Sequence, residues 1–509
     1  MRPVNRSIIR IAILIMYMVM LSFILFGISS VFSYLNTGAD RSSMLHNKVE
    51  KVKYYFPKLE WTSLENNGRP MDRQTLKSIE EDYLDAWYVR QIALKTNDPK
   101  GIDDYYTKHA RQDIKAYIDY NKDNQIHVES TTLEHHIKVE FFSADGKLIV
   151  LTDKGVIEYK RLYKSDQILD EIKEKSTYKI ILLLEDGFWR IRHLQKIESN
   201  PIEYNKEPRF NEGNTIDNNV KGINYYPQNC PWDMYGDCFN VKQLDLDFEI
   251  IKLSGLNTVR LFIPYEEFGG GYVANEKLEK VKVILDVLKK HNLKAIITLF
   301  DFYGNYNVLD WTLNQRHLEQ IVNPLKGHEA LQAWDIKNEP DLDFKSRGRE
   351  NVLAWLLEMT DYVNHLDTIH PVTIGWSSPE AGGLLQNYVD IVSFHYYKSA
   401  DDFEQSYNQL KEEVKDKTII LQEFGASSYR GFWNPFGYSE DDQAEYYEEM
   451  QKLFETNNVQ YLAWTLYDFE YIPESVVGRL PWRKNKQTKF GFIDTKGNKK
   501  PSFEFISKY

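Results

Sequence analysis

Two glutamates, Glu339 and Glu423, sit where side chains can do chemistry. Glu339 lies in AWDIKNEPDL (333–342), between Asn338 and Pro340, directly after a strand-like run. Pro340 has no N–H for a sheet ladder, so the strand should end there. The residue before a proline is biased towards extended backbone, which predicts that Glu339 projects from the strand end with little freedom. Asn, Glu and Pro also suit an ordinary turn, and the motif alone leaves both readings open. Glu423, in TIILQEFGASS, follows a second apolar run. Two carboxyl groups facing one cavity meet the needs of glycosidic bond cleavage. One protonates the leaving oxygen, and the other attacks or stabilises the positive anomeric carbon.

For such distant residues to meet, the chain between them must close on itself. From about residue 215 onward, short apolar runs alternate with helical segments. Eight runs read as strands: 222–226, 257–263, 293–300, 331–337, 371–376, 388–394, 417–422 and 459–466. The segment 278–292, LEKVKVILDVLKKHN, is an amphipathic helix between the second and third. Eight βα units over 215–509 predict an α/β fold, a (β/α)8 TIM barrel, whose active groups lie at the C-terminal strand ends. Both glutamates meet that condition, after strands four and seven. So do Asn338, and His395 and Tyr397 in SFHYY after strand six. Arg260 lies within strand two and Trp464 within strand eight. Trp232, Tyr235, Phe268 and Tyr272, on the first two βα loops, are candidates for stacking on a sugar face or for loop packing.

Residues 75–200 read as a small α+β domain. Ile79, Tyr83, Leu84, Trp87 and Tyr88 recur at helical spacing, and a second helix carries Tyr105, Tyr106, Ala110, Ile114 and Ile118. Strand-like runs follow, separated by turn signals in SADGK (143–147), TDKG (152–155) and LEDGFW (184–189). Residues 37–74 are polar and mixed, and read as a stalk with little structure of its own. Before them, Ile11–Leu35 carries no charged residue and is long enough to span a bilayer. Arg2, Arg6 and Arg10 precede it, which places the N-terminus in the cytoplasm and the rest outside. Residues 1–36 therefore read as a cytoplasmic stub and an uncleaved single-pass anchor in the cell membrane, with a cleaved signal peptide as the rival. On the extracytoplasmic side, Cys230 and Cys238 could pair across NCPWDMYGDC; two unpaired thiols are the alternative. The net charge of −12 argues against a nucleic-acid partner. A chain with 34 Tyr and 11 Trp suits sugar stacking, and equally suits ordinary aromatic packing.

Residues 215–509 resemble the clan A retaining glycoside hydrolases, especially family 5, the cellulase-like enzymes. Asn338-Glu339-Pro340 is similar to the clan's acid/base signature, and Glu423 in Glu-Phe-Gly to its nucleophile. The resemblance implies that Asn338 holds the substrate's 2-hydroxyl and Arg260 sits beside the nucleophile. It also implies that His395 and Tyr397 border the site, and that Trp464 forms the sugar platform ahead of a cis peptide bond to Thr465. One departure stands out: many members carry a histidine at the end of strand three, where this chain has Asp301, Phe302 and Tyr303. Residues 75–200 resemble the nuclear-transport-factor-2-like fold. With the anchor read from residues 11–35, the glycoside hydrolase resemblance implies a membrane-anchored retaining β-glycosidase acting on β-linked, glucan- or mannan-like poly- or oligosaccharides. The carboxylate pair calls for no metal or organic cofactor. A non-catalytic carbohydrate-binding or assembly protein of polysaccharide export, and a transglycosylase, are the alternatives.

Overall fold

The structure, a computed structural model, describes residues 6–36, 55–165, 167–204, 219–415 and 417–507. Arg2, residues 37–54 of the expected stalk and most of the segment between the two expected domains lie outside the described residues.

The first helix, α1 (Arg6–Asn36), contains the expected anchor. Its described side chains, 14–29 and 31, are all exposed, with Leu14, Phe23 and Phe26 each more than 60% open. Among the described residues no helix is long and apolar enough to cross a membrane.

A five-stranded sheet follows, ordered β1 (Lys58–Ser63), β2 (Ile126–Phe142), β3 (Leu148–Lys164), β4 (Gln167–Glu185) and β5 (Phe188–Pro201). β1 corrects the stalk expectation: residues 58–63 pair in parallel with β2 and form the sheet edge. Two long helices, α2 (Arg73–Thr96) and α3 (Lys108–Asp123), come between β1 and β2, with a single helical turn at Ile102–Tyr105 between them. Asp72 caps α2 by accepting the Thr75 N–H at 2.8 Å, and Ile79, Tyr83, Ala86 and Trp87 lie on its buried face. The TDKG expectation also fails. β3 runs straight through 152–155, and Gly155, at φ 94°, marks a register shift against β4. Asp and Gly there make a bulge, because the strand remains paired on both sides. In LEDGFW, by contrast, Asp186 (φ 52°) and Gly187 (φ 86°) do turn the chain between β4 and β5.

The remaining strands are β6 (Lys221–Asn224), β7 (Thr258–Pro264), β8 (Lys294–Asp301), β9 (Leu331–Asn338), β10 (Val372–Trp376), β11 (Ile391–Tyr396), β12 (Thr418–Phe424) and β13 (Gln460–Ala463). They correspond to the eight expected runs. Every neighbouring pair is parallel, and β13 pairs with β6 to close the barrel. Helices α4 (Val241–Leu253), α5 (Asn275–Lys290), α6 (Trp311–Leu325), α7 (Arg349–Leu366), α8 (Phe403–Val414) and α9 (Glu440–Asn457) alternate with the strands. A last short helix, α10 (Pro481–Gln487), follows β13. Every residue of β7 is buried, as expected for a strand covered on both faces, and its sequence is accordingly a mostly apolar run, interrupted by Arg260, rather than an alternation.

The sheet packs directly on the barrel. The Tyr159 ring of β3 lies 4.4 Å from Trp311 at the start of α6. Lys173 of β4 reaches Glu358 of α7 at 2.7 Å and Asp361 at 3.2 Å. Leu133 and Tyr159 belong to the same continuous apolar core as the barrel strands.

Candidate active site

Arg260 organises the barrel mouth. It is a charge inside an apolar strand, fully buried, and its guanidinium is completely engaged. Nη2 donates to Asp335 Oδ2 at 2.6 Å and to Asn338 Oδ1 at 3.0 Å; Nη1 donates to Glu423 Oε1 at 2.6 Å and to Asn224 Oδ1 at 3.1 Å. Burial alone would favour losing the proton. The charges of Asp335 and Glu423 outweigh it and hold the guanidinium above its usual value. Asp335 was missed in the sequence, although a second charge buried in the apolar run LQAWDIK is a cue for a partner to Arg260.

The other oxygen of Glu423, Oε2, accepts from the Tyr397 hydroxyl at 2.7 Å. Tyr397 keeps 41% of its surface open while its hydroxyl is engaged by Glu423. Desolvation there, then the charges of Glu423 and Glu339, push the phenol well above its usual value, so it stays a donor. His395 Nδ1 lies 3.0 Å from Glu339 Oε1 and 3.6 Å from Glu423 Oε2. Ligating atoms of Glu339, His395 and Glu423 fall within 4.8 Å of one another. Both oxygens of Glu423 are already committed to protein donors, one of them a fixed cation, which is a poor environment for a metal ion.

Glu339 departs from the extended backbone expected before a proline. It sits at φ 47°, ψ 51°, in the left-handed region, and Pro340 opens a 3-10 turn. The cause is tertiary: its N–H donates to Gly375 O of β10 at 2.7 Å, which pins the peptide as the strand ends. Trp232 (φ 63°) and Phe302 (φ 57°) share this conformation. Such backbone costs about 1–3 kcal/mol per residue and clusters at functional sites. Gly375 is required by close approach: a Cβ there would lie 2.5 Å from Gln422 Oε1 and 3.0 Å from Arg260 Nη2.

A cavity of about 420 Å³ opens over these groups. Glu339, Glu423, Asn338, Tyr397 and Trp464 all line it; Arg260 and His395 lie beneath as supports. The Trp464–Thr465 peptide is cis. Of the loop aromatics only Trp232 lines the cavity; Tyr235 and Phe268 are buried against each other, 4.9 Å apart, and Tyr272 lies beside Phe56. Asp301 and Phe302 occupy the wall where the family's strand-three histidine was missed, while Tyr303 turns away to Asn314. Sequence reasoning did not find Tyr226, Phe262, Phe490 or the α10 residues Arg483, Lys486 and Gln487. Cys230 and Cys238 are bonded across their loop, with Cα atoms 6.2 Å apart.

A parallel eight-stranded barrel with two glutamates in one cavity at the C-terminal ends of its fourth and seventh strands is the architecture of a glycosidase. Residues 214–470, half of the chain, match the cellulase family, glycosyl hydrolase family 5, and the chain belongs to it. The β-glucuronidase of Chlorocebus aethiops is 25% identical over 272 residues, 48% of this chain and 38% of that protein. Mannan endo-1,4-β-mannosidase A of Hypocrea jecorina is 24% identical over 195 residues, 31% of this chain and 44% of that one. The chain therefore spans less than half the length of these curated relatives. Among solved structures, the exo-β-1,4-mannosidase Op5Man5 from Opitutaceae bacterium strain TAV5 is similar at TM-score 0.46 and 17% identity, over 58% of each chain.

Proposed function

We propose that the protein is a membrane-anchored, retaining β-glycosidase that hydrolyses β-linked, glucan- or mannan-like poly- or oligosaccharides by double displacement. The observation that carries this reading is that one carboxylate oxygen of Glu339 and one of Glu423 lie within 4.8 Å of each other across the barrel mouth. Inverting enzymes hold the pair about 6.5–9.5 Å apart to admit a water, whereas retaining ones hold it at about 5–5.5 Å. Glu339 gives its proton to the leaving oxygen as Glu423 attacks the anomeric carbon. Glu339 then takes a proton from the water that releases the glycosyl group from Glu423. Arg260 and Tyr397 orient the nucleophile, and His395 positions Glu339 between the two steps.

The anchor is supported by the uncharged run 11–35 and by the exposure of its described apolar side chains. It puts the barrel on the extracytoplasmic side. Phe432 (87% exposed), Trp433 and Phe436 (93% exposed) follow β12, and the Trp433 ring lies 5.9 Å from Trp482 of α10. Such a run of open rings favours a polymeric glycan over a small glycoside. It would equally suit an acceptor glycan, so transglycosylation, with a sugar hydroxyl replacing water, is the second reading.

The full-length protein in detergent should cleave members of a β-glycan panel. Glu423→Ala should lose that turnover and regain some with azide, yielding a glycosyl azide of inverted configuration. Glu339→Ala should lose about 10²–10⁴-fold on glycans, and much less on substrates whose leaving groups need no proton. Wild-type rates in both variants would refute the assignment.

A further inference from the structure

The segment after β13 holds five basic residues within eleven positions: Arg479, Arg483, Lys484, Lys486 and Lys489. Three are matched to carboxylates. Arg479 Nε lies 2.9 Å and Lys484 Nζ 3.1 Å from Glu474, and Lys489 Nζ lies 3.2 Å from Asp468. The other two, Arg483 and Lys486, are the ones that line the catalytic cavity, and neither has a carboxylate partner among the described residues. They sit three apart on α10, so they share one helix face.

The cavity's own carboxylates do not explain the pair. Glu423 is held by Arg260 and Tyr397, Glu339 faces His395, and Asp301 accepts from Tyr226 at 3.3 Å. The chain as a whole carries −12, so unmatched cations gathered at one cleft run against the net charge. A guanidinium offers a carboxylate two parallel N–H donors, and a nearby ammonium adds a point charge.

We propose that Arg483 and Lys486 form an anion subsite and that the preferred substrate is a β-linked glycan carrying a uronic acid residue within the cavity. This rests on the reading of the cavity as the glycan site and narrows its substrate class.

The test compares ligands that differ only in charge: β-1,4-gluco-oligosaccharides, the same chains oxidised at C6 to carboxylates, and their C6 sulfates. Binding is measured by calorimetry on the full-length Glu339→Gln protein, and turnover on the wild type. The oxidised chain should bind about tenfold more tightly than the neutral one. That ratio should shrink as NaCl rises from about 0.05 to 0.5 M. It should approach unity in the background of Arg483→Gln with Lys486→Gln, and persist in part with Arg483→Lys. Equal binding of neutral and oxidised chains would overturn the proposal. Equal binding of sulfated and oxidised chains would overturn the uronate assignment. The binding preference without cleavage of any glycan would refute the hydrolase reading and leave the anion subsite standing.

Discussion

Two clusters in this molecule bring a buried histidine against carboxylates, and they have opposite surroundings. At the barrel mouth, His395 faces Glu339 and Glu423, and both carboxylates open onto a cavity. In the sheet, His135 Nδ1 lies 2.6 Å from Asp153 Oδ2 and its Nε2 lies 2.7 Å from Thr132 Oγ1. Asp153 also accepts from the Tyr83 hydroxyl and the His136 N–H, each at 2.8 Å. By residue type, Thr132, His135 and Asp153 make a hydroxyl–imidazole–carboxylate triad. All three are fully buried, however, and none of them lines the cavity at the barrel mouth. Thr132, His135, Asp153 and Tyr83 each end on another protein group, so this network is satisfied without a ligand. A site is distinguished by charged groups whose remaining faces meet open space, and residue types alone do not reveal that.

The comparison breaks most sharply at Asp153. Asp153→Ala strands His135, Tyr83 and the His136 N–H in a dry core, and should cost about 3–5 kcal/mol of stability. Urea denaturation followed by circular dichroism measures this as a lowered midpoint with unchanged slope. Below that midpoint, turnover per folded molecule should match the wild type. A folded Asp153→Ala protein that no longer turned over glycans would give the sheet cluster a functional role and erase the distinction.

The next effect lies at the mouth. The Cβ of Gly375→Ala would press on Gln422 and Arg260, and so move the guanidinium that fixes Glu423. A misplacement of about 1 Å can cost around 10²-fold in rate, and that loss should appear in kcat with a small shift in melting temperature. Loss of folding with normal kcat in the folded remainder would mark Gly375 as a packing residue only.

Much of this contrast was legible in the sequence. Short, mostly apolar runs identified the eight barrel strands, because parallel strands covered on both faces need no alternation. Placement after those strands picked out Glu339 and Glu423, the resemblance to the retaining glycoside hydrolases added Asn338 and Tyr397, and all four line one cavity. What was not legible depended on long-range contacts. The left-handed turn of Glu339 is set by Gly375 O on a neighbouring strand, against its local preference before proline. TDKG has the composition of a turn, but pairing on both sides makes it a bulge. β1 is a short polar edge strand, and only its partner β2 gives it structure. Arg483 and Lys486 lie beyond the last strand in a basic run, where nothing local separates cavity-facing cations from those matched to Glu474 and Asp468.

The smallest effect tests whether the two regions are joined energetically as well as spatially. The Lys173–Glu358 pair crosses from the sheet to α7, with side chains 7% and 2% exposed. Glu358 also accepts from Tyr204 at 2.9 Å and from Gln315 at 3.1 Å. Burial would lower the pKa of Lys173, but the charges of Glu358 and Asp361 outweigh it and hold the ammonium above its usual value. A raised folded-state pKa makes this contribution fully present below the unfolded lysine value of about 10.5, and lost only as the pH rises above it. Lys173→Met leaves Glu358 buried without its cation. Glu358→Gln leaves Lys173 with Asp361 alone and keeps an amide for Tyr204. The double variant removes both charges, so it should cost less than the sum of the singles, with a coupling of about 1–3 kcal/mol. That coupling should be the same at any pH from about 6 to 9. Strict additivity of the two substitutions would mean that the sheet rests on the barrel through its apolar contacts, without this bridge.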